Sequence, residues 1–367
     1  MVSILKLHLC IVENLRIALV EIGGSHDECL YTQFLALTSI ETEITFVTTK
    51  EVYERNEHLH PFIQHVYFIK TTGKAYADFK RMKELVRYFK NQKIQKVVFN
   101  TAQGGHVRNI ALLLPKNIQA FGIIHTVRKF QGSFTQKIIH RAIKKYLVLS
   151  DDLLKRIEIP KGISIGSFYP IDFPHFEQTI EKPKDAVWIT ITGGVENRRK
   201  DLSGFIQIVE QTPENVQFIF LGKTDANRED VIELFKQLDE RHLRNRIHIF
   251  EGFIDHPTFD AYLKQSDFLL PLIHPETPSA EQYVVNQISG AFTLAFSYRI
   301  PLLMHEVYQQ EEDLKLAAFF YRPSFFKDAF DRAFQEKTTK SEQIEQQEKW
   351  QSEVQQNIYL RFLETHH

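Results

Sequence analysis

The chain alternates short apolar runs with longer polar and amphipathic stretches. Apolar runs rich in Val, Ile, Leu and Phe are typical of strands buried on both faces, and helix-length segments between them favour a parallel sheet covered by helices. The predicted strands are 15–22, 44–49, 63–69, 96–100, 119–125 and 145–150, then 186–192, 216–222, 246–252, 267–272 and 301–304. Helices are predicted between them, notably over 76–92 and 132–144.

This alternation pauses once, at a stretch rich in Pro and Gly within 160–185. Such a stretch predicts a connection between domains. We therefore expect two doubly wound, Rossmann-like α/β domains facing across a cleft, over 1–165 and 186–338, joined by a linker at 166–185. The polar tail, 339–367, is expected to form a helix that packs back towards the N-terminal domain. Its apolar residues at helical spacing are Trp350, Val354, Ile358, Tyr359 and Phe362.

Composition agrees with a globular protein, since 43% of the 367 residues are apolar and 25% are charged. Cys10 and Cys29 are the two cysteines, with no spacing that suggests disulfides or zinc, so a reducing cytoplasm is expected. Residues 2–12 are apolar but interrupted by Lys6 and His8 and lack a cleavage site. We expect neither a signal peptide nor a membrane span.

Charge is distributed unevenly along the chain. The formal net charge is −1, yet residues 1–150 hold 21 Lys and Arg against 11 Asp and Glu, and 70–145 holds 17 against two, Asp78 and Glu84. Such a field concentrates anionic partners. The basic region lies inside the α/β alternation and carries no recognised nucleic-acid motif, so nucleic acid is not the expected partner.

Glycine pairs follow the first predicted strand of each domain. Gly23-Gly24 and Gly193-Gly194 stand at strand ends, where ligands bind in doubly wound folds. Neither pair belongs to a GxGxxG dinucleotide motif. Each pair is either part of a ligand-binding loop or simply a turn.

Three cations stand where the helix after 186–192 is expected to begin. A helix start is electropositive, so Arg198, Arg199 and Lys200 are unfavourable there, and Asp201 offsets one of them. A bound anion explains the pattern, and a solvated basic turn is the alternative.

The order of segments in 186–304 resembles the nucleotide-binding domain of GT-B glycosyltransferases, in particular the group of glycogen synthases and bacterial lipopolysaccharide transferases. In that group a strand ending in Gly leads to an Arg/Lys pair, matched by Arg199-Lys200, and a later strand ends in Gly, matched by Gly222. A further strand is followed by Gly and an apolar pair, matched by Phe253 and Ile254 after Gly252, and the matches end at Pro271 and Pro301. The N-terminal domain adds Gly23-Gly24 and the strand-end His125.

The resemblance implies roles for these residues. Arg199 and Lys200, with amide groups at a helix start near Ser289-Gly290, would bind the diphosphate of a nucleotide sugar beside Gly193, Gly194 and Gly222. Phe253 and Ile254 would lie against the base, unless they are ordinary core. His125 would face the donor sugar, as a hydrogen-bond partner or base, or be structural. Gly23, Gly24 and His26 would lie on the acceptor side, where His26 is a base, an acceptor contact or a helix cap.

The chain also departs from the group's pattern. Many retaining members carry Glu-x7-Glu, which here falls on Asn286 and Leu294, and Arg299 replaces the glycine of Gly-x-Pro. The second Glu usually holds the ribose. Glu276, Glu281 and Glu306 lie near enough in sequence to replace it.

These patterns and the resemblance together predict a GT-B glycosyltransferase that transfers a sugar from a nucleotide donor to a glycan or lipid-linked acceptor in the synthesis of cell-surface polysaccharide. No Asp-x-Asp triplet occurs in the sequence, so no metal or other cofactor is expected. Helix 76–92 combines Phe79, Met82, Val86 and Phe89 with a basic face, which fits either an anionic membrane surface at the inner face of the cell membrane or an ordinary outer helix. The alternatives are an inactive GT-B binding partner and a sugar-nucleotide epimerase.

Overall fold

The computed structural model describes residues 15–24 and 26–364. The apolar segment 2–12 and Cys10 therefore lie outside the described residues. Among those that are described, no helix combines the length and the apolar character needed to cross a bilayer.

The first sheet has seven parallel strands in the order β3-β2-β1-β4-β5-β6-β7. These strands are β1 Leu15–Glu21, β2 Thr42–Thr48, β3 His65–Phe68, β4 Lys96–Phe99, β5 Gln119–Ile124, β6 Ile143–Val148 and β7 Ser164–Ser167. The central strand β1 contains Ile17, Ala18 and Leu19, all with no exposed surface. Successive strands are added on one side of β1 up to β3 and on its other side from β4 onwards. This reversal of the strand order leaves a crevice at the carboxyl ends of β1 and β4.

The second sheet has six parallel strands in the order β10-β9-β8-β11-β12-β13. These strands are β8 Val187–Thr192, β9 Val216–Lys223, β10 Ile247–Phe250, β11 Phe268–Leu269, β12 Leu302–His305 and β13 Ala318–Tyr321. The order repeats that of the first sheet, so its crevice lies at the carboxyl ends of β8 and β11.

Fourteen α-helices flank the sheets in the described part of the chain. They are α1 Leu30–Thr38, α2 Lys50–Arg55, α3 Ala75–Asn91, α4 Gly105–Leu113, α5 Val127–Phe130, α6 Phe134–Ala142, α7 Asp151–Lys155, α8 Leu202–Glu210, α9 Glu229–Glu240, α10 His256–Gln265, α11 Gly290–Tyr298, α12 Glu312–Ala317, α13 Phe326–Glu345 and α14 Ser352–Leu363. In the N-terminal half, α3, α4 and α6 pack side by side, while α1 packs against α14. The predicted architecture of two doubly wound α/β layers is confirmed.

The C-terminal helix returns to the N-terminal half, as expected. Tyr359, Phe362 and Leu363 of α14 are buried in the core of the first sheet. Phe362 meets Phe121 of β5 edge-on, with ring centroids 5.2 Å apart. Trp350, just before this helix, instead stacks on Phe296 of the second half at 4.0 Å. The tail therefore ties both halves together.

Local details differ from the expectations. Strands β7 and β13 were not predicted, because both are short. They are strands only because β7 pairs with β6 and β13 pairs with β12. The first sheet thus runs two residues past the predicted boundary at 165. The predicted helix 132–144 is α6, Phe134–Ala142, and the short helix α5, which was not predicted, ends before Gly132, which has a φ of 74°. Phe79 is 38% exposed, so it does not share the buried face of Met82, Val86 and Phe89.

Candidate functional site

A cleft of about 800 Å³ lies between the carboxyl ends of the two sheets. Its lining includes every predicted donor-side residue, and on the N-terminal side Gly24, His26 and His125. The donor-side residues are Gly193, Gly194, Arg199, Lys200, Gly222, Phe253, Ile254, Ser289 and Gly290. Gly23 instead turns its backbone N–H to Glu21 Oε1 at 2.6 Å, so its contact with an acceptor stays a prediction.

The loop after β8 is held in place by two glycines. Gly193 has a φ of 83°, in the left-handed region that favours glycine. A Cβ on Gly222 would lie 2.3 Å from the carbonyl oxygen of Gly193, so the ends of β8 and β9 approach each other only because Gly222 has no side chain. This close approach fixes the backbone that leads to the three cations.

Lys200 is buried, with 6% of its surface exposed. Its Nζ donates to the carbonyl oxygen of Thr192 at 2.7 Å, and no carboxylate of a described residue lies within ion-pair distance of it. Burial, and secondly the charge of Arg199, lower its pKa to about 8. A buried ammonium without a carboxylate partner is costly, and an anion arriving in the cleft would relieve that cost.

Arg199 is half exposed and forms an ion pair with Glu196, Nε to Oε1 at 2.8 Å. The carboxylate of Glu196 also forms ion pairs with Nη2 of Arg198 at 3.0 Å and with Nη1 of Arg228 at 3.8 Å. Exposed pairs of this kind contribute only about 0–1 kcal/mol, so an anion can recruit the Arg199 guanidinium at low cost.

Asp201 and His274 anchor the end of this loop. Asp201 caps α8, since its Oδ1 accepts from the N–H of Gly204 at 2.8 Å. Nδ1 of the buried His274 is hydrogen-bonded to Oδ2 of Asp201 at 2.7 Å. Nε2 of the same ring is hydrogen-bonded to the hydroxyl of Tyr321, also at 2.7 Å. Burial raises the pKa of Asp201, but the hydrogen bonds from His274 and Gly204 outweigh it and hold the value at about 2. Asp201 therefore caps the helix start, whereas the expected offset of one of the three cations comes from Glu196, and Lys200 is left uncompensated.

Helix α11 begins at Gly290, where a helix start was expected. Ser289 caps it by accepting from the N–H of Ala291 at 3.3 Å. The N–H of Phe292 donates to the carbonyl oxygen of Ser289 at 2.9 Å, and no described residue lies within 4 Å of where a Cβ on Gly290 would be, so the start of the helix is open on that side. Ser289, Gly290 and Lys200 line one cleft, and together they form an electropositive pocket suited to phosphate.

The apolar pair after β10 has one unusual member. Phe253 is 71% exposed although it is large and apolar, whereas Ile254 packs against the core beside β11 and β12. An exposed aromatic ring at a cleft rim is a suitable stacking surface for a base. The proposed contact with a nucleobase stays a prediction.

Carboxylates are scarce on this wall of the cleft. Leu294 is buried at 7% exposure and lines the cleft where a ribose-binding Glu was considered. Of the candidate replacements, Glu276 lines a separate cavity of about 260 Å³ and Glu306 pairs with Arg322. Asp260 does line the cleft, but it already accepts from the hydroxyl of Tyr298 at 2.8 Å and the N–H of Phe176 at 2.9 Å.

On the opposite wall, His26 and His125 stack with ring centroids 3.9 Å apart. His125 is 2% exposed, and its Nε2–H donates to the carbonyl oxygen of Asn100 at 2.7 Å. Its buried Nδ1 has no hydrogen-bond partner among the described residues. Burial, and then the charge of His26, hold its pKa well below the ordinary value. His125 is therefore a neutral ring with a free lone pair.

His26 has the opposite electrostatics. Burial lowers its pKa, but a hydrogen bond with Glu28 and the charges of Glu28, Glu21 and Asp27 outweigh burial and raise the pKa above the ordinary value. Its Nδ1 lies 3.5 Å from Glu28 Oε1, a third of its side chain is exposed, and its φ of 74° is unusual for a residue other than glycine. His26 is thus the proton-carrying member of the pair.

The basic residues of 70–145 do not surround the cleft. Lys129 is the one Lys or Arg of that segment in its described lining, whereas Asp27 and Glu28 line the N-terminal wall. The charge excess therefore lies on outer surfaces, and it does not indicate an anionic group at the reacting end of an acceptor. The sequence pattern did not identify Glu21, whose signal was a carboxylate at the end of an apolar strand, two residues before Gly23.

Comparisons with known proteins agree with this architecture. No family model matches the chain, and no curated protein matches it. Among solved structures, it is similar to a glycosyltransferase from Rickettsia africae, with a TM-score of 0.65, 12% identity, and coverage of 97% of this chain and 100% of that one. It is also similar to sucrose-phosphate synthase from Thermosynechococcus elongatus (TM-score 0.63, 15% identity, 95% and 98% covered). UDP-GlcNAc 2-epimerase from Neisseria meningitidis gives a TM-score of 0.62 at 11% identity, with 95% and 99% covered. The chain has the GT-B fold.

Proposed function

We propose that the protein is a glycosyltransferase that takes its sugar from a nucleotide donor bound in the cleft. The observation that carries this proposal is the buried Lys200, which has no carboxylate partner among the described residues and lines the same cleft as the start of α11. The names of the similar structures add support, since two are a glycosyltransferase and a sucrose-phosphate synthase.

The donor diphosphate would lie between Lys200, Arg199 and the first amides of α11. Fixed cations and amide dipoles stabilise the charge that grows on a leaving diphosphate, which is work that a metal does in other enzymes. We propose a metal-independent reaction on this ground. Phe253 would then stack on the nucleobase at the rim.

The proton chemistry falls to the opposite wall. A transfer needs a group that removes the proton of the attacking hydroxyl, within hydrogen-bond reach of it. His26 reaches the cleft and titrates, so we propose it as that base, active in its unprotonated form. His125, neutral and donating through Nε2, would accept a hydrogen bond from a sugar hydroxyl at Nδ1.

A sugar-nucleotide epimerase is the second candidate. The similarity to UDP-GlcNAc 2-epimerases supports it, as does the pair of carboxylates, Asp27 and Glu28, near the stacked histidines. Product analysis separates the two, because an epimerase isomerises the sugar of the donor without any acceptor.

We propose an anionic membrane surface as the site of a lipid-linked acceptor, in the cytoplasm. Helices α3 and α6 begin at the cleft edge of the first sheet, and their first turns carry Tyr76, 85% exposed, and Phe134, 75% exposed. Exposed cations accompany them, among them Lys80 and Lys137. Exposed aromatic residues among cations favour an anionic bilayer.

Nucleotide binding is the direct test of the donor site. We expect UDP, GDP, CMP or one of their sugars to raise the melting temperature of the protein, and Lys200→Met to weaken that ligand about 10- to 100-fold, because a charged hydrogen bond is worth about 1.5–3 kcal/mol. The melting temperature without ligand should not fall, because methionine fills the space without burying a charge.

Lys236→Met is the matched control, since Lys236 is exposed on α9 of the same half. Calorimetry with each nucleotide measures the affinities. Equal affinity in Lys200→Met and the unchanged protein would remove Lys200 from the site, and binding of no nucleotide at all would favour the inactive binding partner.

A further inference from the structure

Glu21, at the end of β1, is a carboxyl group with no exposed surface. Three donors surround it: the N–H of Gly23 at 2.6 Å, Nδ2 of Asn100 at 2.6 Å and the hydroxyl of Thr101 at 2.8 Å. Among the described residues, no Lys or Arg forms an ion pair with it. Burial disfavours the charged form of such a carboxyl, whereas the hydrogen bonds from these neutral donors favour it.

Asn100 connects this carboxyl to both histidines. Its Nδ2 also donates to the carbonyl oxygen of His26 at 2.8 Å, and its own carbonyl oxygen accepts from Nε2 of His125 at 2.7 Å. Its Oδ1 accepts from Gln33, which in turn accepts from the hydroxyl of Tyr359 in α14 at 3.1 Å. Both the side-chain amide and the backbone carbonyl of Asn100 are therefore hydrogen-bonded, which fixes the orientation of its side chain.

The charges around the histidine pair come from few groups. The ionisable groups that act on His26 are Glu28, Glu21, Asp27 and, through the stacked rings, His125, and the buried thiol of Cys29 lies in the field of the same three carboxylates. Glu28 and Asp27 stand at the surface, and Asp27 is paired with Arg55 at 2.7 Å. Glu21 is the buried member, so solvent screens its charge least.

Burial raises the pKa of Glu21 to about 7, against the hydrogen bonds from Asn100 and Thr101, which lower it. The pKa of His26 is also raised. Both groups therefore titrate close to neutral pH, and the ionisation of either one changes the other, because their interaction is reciprocal.

We infer that Glu21 is a positioning residue of the site: it holds Asn100 between the two histidines, and its buried charge, together with the nearer Glu28, favours His26 over His125 as the member of the stacked pair that carries the proton. The consequence for function rests on the proposed glycosyltransferase activity, because a base must be unprotonated to act. The electrostatic link itself does not depend on that activity.

The test is a titration of the His26 ring by NMR in the full chain, with its signal identified by its loss in His26→Asn. In Glu21→Gln, a neutral side chain of the same shape, we expect His26 to bind its proton about threefold or more weakly. Glu311→Gln is the matched control, because Glu311 is also buried with a pKa of about 7, but it pairs with Arg156 away from the histidines. It should leave His26 unchanged, and equal titration curves in Glu21→Gln and the unchanged protein would overturn the inference.

A second measurement covers the case in which Glu21→Gln does not fold. The carboxyl carbon of Glu21 in the unchanged protein should titrate near neutral pH, in two steps that match those of the His26 ring. A carboxyl that titrates in one step, with no change at the pH where the His26 ring titrates, overturns the inference. Neither titration requires a nucleotide. The inference about Glu21 can therefore fail while the proposed donor site is supported by nucleotide binding, and the reverse.

Discussion

At the scale of single residues, the site is defined by charges that its surroundings leave uncompensated. In the described part of the chain, Lys200 has the hydrogen bond to Thr192 but no carboxylate partner, whereas the neighbouring Arg199 is paired with Glu196. The two adjacent cations therefore differ: Lys200 is buried, whereas Arg199 lies at the surface and is paired with a carboxylate. The sequence identified both residues but did not separate them.

The lowered pKa of Lys200 gives a dependence on pH. A bound diphosphate favours the charged amine, so affinity should fall as pH rises through about 8, where the free protein loses that charge. Between pH 7 and 9 the charged fraction falls about tenfold, and the nucleotide affinity should follow it. Calorimetry across this range measures the effect. Lys200→Met provides the baseline, since any dependence that remains in it belongs to the nucleotide or to other groups; the same slope in both proteins would exclude Lys200 as the titrating group.

At the scale of elements, the strands and the first turns of two helices position the chemistry. The ends of β8 and β9 meet through Gly193 and Gly222, and α11 begins at Gly290 in the same cleft. Helix α14 contributes from far along the chain, because it packs on α1 and reaches Asn100 through Tyr359 and Gln33. Packing, more than helical propensity, holds such a short helix in place.

The attachment of α14 can be measured by removing its buried ring. Phe362→Ala should lower the free energy of unfolding by about 3–5 kcal/mol, because the ring packs on Phe121 in a core that cannot fully collapse. Phe334→Ala, on α13 with 53% of its surface exposed, should cost about 1 kcal/mol or less. Urea unfolding followed by circular dichroism gives both values. A loss in Phe362→Ala no greater than in Phe334→Ala would show that α14 is not part of the N-terminal core.

At the scale of the whole molecule, the basic surface formed by residues 70–145 lies apart from the cleft. The buried Asp78 accepts from Thr72 and Gly73, which leaves Glu84 as the one surface acid of 70–145. The outer face of α3, α4 and α6 is therefore basic, while the N-terminal wall of the cleft carries Asp27 and Glu28. One part of the molecule suits an anionic surface, and another suits uncharged hydroxyl groups.

Membrane binding tests this separation. The protein should sediment with vesicles of phosphatidylcholine and phosphatidylglycerol more than with phosphatidylcholine alone, and less as salt rises, because exposed charges are screened. Changing Tyr76 and Phe134 together to Ser should reduce that binding about tenfold, since two aromatic side chains no longer enter the bilayer.

Phe325→Ser is the control for membrane binding, because Phe325 is 63% exposed but lies in the C-terminal half. It should sediment like the unchanged protein. Equal binding to both kinds of vesicle would remove the anionic membrane from the proposed partners.

Local pattern determined much of this molecule. Eleven of the strands were predicted from apolar runs, and Gly193, Gly194, Arg199 and Lys200 from glycines and cations after a strand, because these signals depend on neighbours in the chain. The other donor-side residues followed from the family resemblance. Strands β7 and β13, the pairing of Arg199, the stacking of His26 on His125 and the burial of Glu21 were decided by the tertiary structure alone. Each depends on residues that lie far apart in sequence, and burial and partners, not residue type, set the charge of an ionisable group.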